Sequence, residues 1–154
     1  MIWDEEIEVV VMLASVIEGG RNKCEQYWPS TVRSVIVYEN IEVTALHVDL
    51  DDVYDPSMKT TTLQVSNKLI VGSKRIIKHL QYTAWPDHGL QFVLYSGTLD
   101  TLLNNICNFL LSFSGVPSIQ GFVQLIEKYS ELQVQKQTPT SLTLVHCSAG
   151  TEMT

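Results

Sequence analysis

Apolar and polar positions divide the chain into a sheet-like first half and a later part with a helical period. Glu8-Val9-Val10-Val11-Met12-Leu13 carries a short continuous apolar run, bounded by Glu6 and the turn signal Glu18-Gly19-Gly20, and predicts a buried strand. Short β-branched segments follow at residues 35–38, 41–50 and 61–65. In the second of these, Val43, Ala45, His47 and Asp49 alternate with Thr44, Leu46, Val48 and Leu50, which predicts one face for each set. Residues 76–82 predict another strand, ended by the turn chemistry of Trp85-Pro86-Asp87-His88-Gly89.

After Pro117 and a capping Ser118, Ile119, Phe122, Val123, Ile126 and Tyr129 recur at three- and four-residue steps and predict an amphipathic helix. A strand at residues 141–145 then delivers His146, Cys147 and a Ser148-Ala149-Gly150 turn at its carboxyl end, where ligands sit in α/β sheets. Residues 98–113 carry a second helical pattern, with Leu99, Leu102, Leu103, Ile106 and Leu110 on one face.

A length of 154 residues suits one domain, and 45% apolar with 18% charged residues is an ordinary globular mixture. Ten basic against 17 acidic residues give a net charge of −7, and no Lys/Arg-rich run exists to hold nucleic acid or an anionic membrane. Cys24, Cys107 and Cys147 lie far apart with no C-x-x-C pair and no secretory leader, so a reducing, cytoplasmic setting is expected. The most apolar stretch, residues 99–113, is interrupted by Asp100, Asn104, Asn105 and Asn108 and is too short to cross a bilayer.

Chemistry gathers at two places. A strand running into Cys147-Ser148-Ala149-Gly150 lets successive backbone N–H groups curl into an anion-binding nest, with glycine supplying the permissive φ. Alone, the same tetrapeptide more often marks a small buried hydrophobe before a turn. Likewise Pro86-Asp87-His88-Gly89 alone is a surface turn. His47, His79 and His88 have no metal-ligand spacing with the cysteines, so no metal site is expected. Trp3, Trp28 and Trp85 read most simply as packing residues.

Lys23-Cys24-Glu25-Gln26-Tyr27-Trp28-Pro29 precedes both motifs, and with it the chain resembles the tyrosine-specific protein phosphatases over most of its length. The resemblance implies an α/β fold, a twisted mixed β-sheet flanked by helices, here truncated at both ends. It implies a two-step hydrolysis of phosphotyrosine without metal or cofactor, acting on a phosphotyrosine-containing protein or peptide. Cys147 would attack phosphorus, and Asp87 on the Trp-Pro-Asp loop would protonate the phenolate. Ser148, Ala149 and Gly150 would supply N–H groups to the phosphate. In supporting roles, His146 would bias the thiol, Lys23 would neighbour Asp87, and Trp85 would belong to the loop carrying Asp87. General chemistry agrees, since a thiol of ordinary pKa about 8.5 needs a positive local field to ionise near neutrality and a phenolate needs a placed acid. Similar phosphatases occur in insects and in viruses of parasitoid wasps.

The chain departs from the family pattern in two places. The signature runs His-Cys, five residues, Arg; here Met153 stands where the arginine belongs, with Glu152 beside it, so the bidentate phosphate clamp is lost. Glu18, which would orient that arginine, is expected to lack its partner. Residues 90–115 look foreign to the family, and the chain reads as a partial phosphatase domain over residues 1–154 with an insertion there. Two further outcomes are a catalytically inactive pseudophosphatase and a truncated product without site function.

Overall fold

A computed structural model describes residues 1–49, 56–85, 93–95 and 119–147. Its main feature is a seven-stranded sheet in the order β4-β5-β6-β7-β1-β9-β8. The strands are β1 (Val9–Met12), β4 (Val35–Tyr38), β5 (Ile41–Asp49), β6 (Met58–Asn67), β7 (Lys74–Tyr82), β8 (Val93–Tyr95) and β9 (Thr143–His146). A separate two-stranded hairpin, β2 (Ile17–Glu18) and β3 (Arg21–Asn22), turns at Gly19-Gly20, both with positive φ. The one helix among the described residues, α1, spans Ile119–Val134.

The sheet is mixed: β7, β1 and β9 run parallel, and antiparallel strands complete both sides. Every residue of β1 is buried, as its unbroken apolar run requires of a central strand covered on two faces. Val9 and Val11 point to one face with Leu80, Tyr82, Val145 and the α1 residues Leu125, Tyr129 and Leu132. Val10 and Met12 point to the other with Ile7, Trp28, Val43, Leu63 and Ile77. The helix covers the first face, and the N-terminal turn with the 23–29 segment covers the second.

Several expected patterns change. In β5 the register shifts between Ala45 and His47, leaving Leu46 outside the pairing. The bulge flips the phase, so Val48 shares the side of Val43 and Ala45, while His47 and Asp49 move to the opposite side. Val123, expected on the core side of the helix, is exposed; the buried stripe is instead Leu125, Tyr129 and Leu132 at i, i+4 and i+7. Strands β6 and β7 run beyond residues 61–65 and 76–82 because their pairing continues from Met58↔Tyr82 to Ser66↔Lys74. Strand β8, which the pattern did not predict, pairs antiparallel with β9 inside the segment expected as an insertion. The helix expected at residues 98–113 and the Ser118 cap lie outside the described residues.

Two ties hold the strand ends in place. The Glu8 carboxylate accepts the N–H groups of Gln137 at 2.6 Å and Thr138 at 3.1 Å, fastening the loop between α1 and β9 to the start of β1. Arg75 lies over the Trp3 ring, 4.4 Å from its centroid, and pairs with Glu6 at 3.1 Å, pinning the N-terminal turn to β7.

Candidate active site

The three parallel strands end side by side, with Met12 in register with both Gln81 and His146. The ladder continues one step further, where the Leu13 N–H donates to the His146 carbonyl at 2.8 Å. Cys147 therefore leaves the sheet at the carboxyl edge of its parallel core. Beside it, Gln81 Nε2 donates to the Ala14 carbonyl at 3.0 Å, holding the loop that follows β1 against the end of β7. Trp85, three residues beyond β7, and Cys147 both pack against the helix-side core, and Trp85 lines a small void with Leu125, Tyr129 and Val145. The structure thus brings the Trp85 and Cys147 segments to one edge. Asp87, Ser148, Ala149, Gly150 and Met153 lie outside the described residues.

Behind that edge, on the face opposite α1, Tyr27 joins two histidines. Its hydroxyl lies 2.9 Å from His79 Nε2 and 2.6 Å from His146 Nε2, while His146 Nδ1 lies 2.9 Å from the Cys147 carbonyl. The proton order follows from the partners. A carbonyl only accepts, so His146 Nδ1 carries the hydrogen and its Nε2 presents a lone pair in the neutral ring. Tyr27 then donates to His146 and accepts from His79 Nε2–H, which leaves a lone pair on His79 Nδ1. That atom is buried and has no hydrogen-bond partner among the described residues.

Electrostatics support the neutral assignment. His79 is fully buried, and burial, aided by repulsion from His146, pushes its pKa down to about 3. Burial also lowers the His146 pKa, opposed by its bond to the Cys147 carbonyl, and holds Tyr27 protonated by raising its pKa far above the ordinary value. Trp28 stacks on the His79 ring at 4.3 Å between centroids, and Tyr27 meets it edge-on at 5.5 Å. Nothing in the spacing of positions 27, 79 and 146 announced this chain. The available signal was a histidine at an inward position of an apolar strand together with an aromatic pair at Tyr27-Trp28.

Cys24 and Cys147 are both thiols rather than disulfide partners. The Cys24 pKa is raised, chiefly by burial and secondarily by the presence of Cys147. Lys23 Nζ lies 3.9 Å from Glu18 Oε2, so Glu18, expected to lack its arginine partner, faces a lysine just past the β2–β3 hairpin. Both groups are partly exposed, and the pair is a weak one. Among the described residues no group of three His, Cys, Asp or Glu side chains converges on a metal position.

Residues 1–108 match the family model described as protein-tyrosine phosphatase. The chain belongs to the protein-tyrosine phosphatase family. The match reaches into the segment read as an insertion. Among curated phosphatases of the family, the chain is 31% identical over 157 residues to human tyrosine-protein phosphatase non-receptor type 9, covering 97% of this chain and 22% of that protein. It is 44% identical over 90 residues to the Lar-like tyrosine-protein phosphatase of Caenorhabditis elegans, covering 58% of this chain and 4% of that protein. The chain therefore spans less than a quarter of the length of these relatives. Its fold matches a solved structure of PTPN18 in complex with HER2 phosphopeptides, with a TM-score of 0.64 and 24% identity, over 97% of this chain and 42% of that one. The sheet and helix described above are thus a phosphatase-type mixed α/β architecture.

Proposed function

We propose that this protein is a phosphotyrosine-directed member of its family whose turnover is impaired, with Cys147 as nucleophile and Asp87 as general acid. The observation that carries the reading is the position of Cys147. It leaves β9 at the carboxyl edge of the parallel core, its own carbonyl held by His146 Nδ1–H, in a chain of phosphatase lineage. PTPN18, whose fold it shares, is solved with HER2 phosphopeptides, which supports a phosphotyrosine protein or peptide as ligand.

In this reading the Cys147 sulfur attacks phosphorus as the bond to the aryl oxygen breaks. Asp87 gives its proton to the departing phenolate, and water then cleaves the cysteinyl-phosphate to release phosphate and regenerate the thiolate. The N–H groups of Ser148, Ala149 and Gly150 bind the phosphoryl oxygens. His146 acts as a positioning residue, since its ring is fixed between Tyr27 and the Cys147 carbonyl. Trp85 packs at the same edge as Cys147 and anchors the segment leading to Asp87. Lys23 is engaged with Glu18 and acts on the Asp87 loop through charge.

Met153 in place of the signature arginine sets the level of activity. An arginine on a transferring phosphoryl group is worth on the order of 10³ to 10⁵ in rate, so slow turnover follows. The same observation favours, as a second reading, a pseudophosphatase that binds phosphotyrosine without hydrolysing it. The protein works in a reducing, cytoplasmic setting on this proposal, consistent with Cys24 and Cys147 both being thiols.

The test is hydrolysis of a fluorogenic aryl phosphate by the protein and by Cys147→Ser and Met153→Arg variants. The expected result is slow hydrolysis abolished by Cys147→Ser and raised at least tenfold by Met153→Arg. Hydrolysis that survives Cys147→Ser overturns the assignment. Absent hydrolysis with saturable phosphotyrosine-peptide binding in calorimetry selects the pseudophosphatase instead.

A further inference from the structure

On the sheet face opposite α1, an apolar cavity of about 520 Å³ lies between the N-terminal turn and the β4–β5 hairpin. Its walls include Ile2, Trp3, Val43, Leu63, Val65 and Ile77, and its volume is that of a small-molecule site. Its polar lining mixes donors and acceptors, and its side-chain charges are acidic. Asp4 and Glu39 bring two carboxylates to the cavity, and no Lys or Arg side chain lines it. Asp4 is shared with the Met1 amine at 2.7 Å. Glu39 makes no ion pair or hydrogen bond among the described residues and sits at the hairpin turn with φ of 51°, a conformation that favours glycine. The neighbouring cations are committed elsewhere, Arg75 to Glu6 at 3.1 Å and Lys68 to Glu42 at 3.8 Å. His79 also lines the cavity, and its buried Nδ1 is the unpartnered acceptor assigned above.

We propose that this cavity binds a small organic cation with an apolar body, of the arylalkylamine class. Apolar walls remove the hydrocarbon part from water, and the Glu39 carboxylate, which has no ion-pair partner among the described residues, selects a positive over a negative head group. An anionic ligand of equal size meets the Glu39 carboxylate with no Lys or Arg side chain in the lining to offset it. The site is separate from Cys147 and independent of any phosphatase activity, so failure of one reading leaves the other intact.

The experiment uses 4-phenylbutylamine, with 4-phenylbutyrate as its isosteric anion, followed by amide chemical shifts in the intact chain. The amine is expected to saturate with shifts centred on residues 38–43 and 63–65, at an affinity at least tenfold above that of the carboxylate. Glu39→Gln, at an exposed turn, is expected to reduce that preference at least threefold with the fold unchanged. Val65→Phe, which places a ring in the cavity, is expected to abolish saturation. Equal affinity for the two probes, shifts centred elsewhere, or selectivity unchanged in both variants overturns the proposal. So does concentration-dependent self-association that involves the same amides in place of ligand binding.

Discussion

His79 should make this protein acid-labile, and the amount can be worked out. The ring is fully buried, pressed against Trp28 and bonded through Nε2–H to Tyr27, and its pKa falls from 6.5 to about 3. A group whose pKa is depressed on folding contributes stability above its unfolded value and loses it as pH falls toward its folded value. The window therefore opens near pH 6.5 and runs down toward 3. At pH 5 the unfolded chain holds a proton that the folded chain excludes, 1.5 units below the reference. At about 1.4 kcal/mol per unit, folding loses about 2 kcal/mol relative to pH 7.5. His146, lowered by burial, pushes in the same direction.

The perturbation is His79→Gln, whose amide can still donate to Tyr27 and which does not titrate. Urea unfolding followed by tryptophan fluorescence at pH 7.5 and 5.0 gives the stability of each form. The variant starts less stable at pH 7.5 but loses about 2 kcal/mol less than the parent on acidification, about 1 M in urea midpoint for a chain of this size. Carboxylates titrate alike in both forms and cancel in the comparison. If parent and variant lose the same stability between the two pH values, the buried neutral histidine is not the source and the reasoning fails.

Three other outcomes are expected. Tyr27→Phe strands the His79 Nε2–H and the His146 Nε2 lone pair at once, and should cost about 2 to 4 kcal/mol by urea denaturation, against about 1 kcal/mol for one ordinary hydrogen bond. Leu125→Ala opens a hole between α1 and β1 beside an existing void of about 20 Å³ and should cost about 2 to 5 kcal/mol, read from thermal or urea melts; a loss below 1 kcal/mol contradicts the packing described. Cys24, with its pKa raised chiefly by burial, should be alkylated by iodoacetamide at pH 8 more slowly than a simple thiol, and mass spectrometry of the labelled peptide checks it.

Local signals made much of this fold legible. The apolar run at Val9–Met12 suited a strand covered on both faces, as β1 is, and β4 spans the four residues Val35–Tyr38 that the pattern marked. Gly19-Gly20 marked a turn, and the three- and four-residue spacing marked α1, although the inward stripe proved to be Leu125, Tyr129 and Leu132. The family was legible because the motifs around Tyr27 and Cys147 stand in the phosphatase order, and the match over residues 1–108 agrees.

Tertiary structure decided what depends on residues far apart in the chain. The bulge at Leu46 arises from pairing with Leu63 and Thr62, which the alternation of β5 alone does not encode, and it moved His47 and Asp49 to the other face. Strand β8 exists through its hydrogen bonds to β9, not through its own three residues. The chain from His79 through Tyr27 to His146 joins positions 52 and 119 residues apart. Periodicity reports which side of one element is apolar. Which side chains of different elements meet is set by register and strand order, and these emerge only when the sheet closes around a common core.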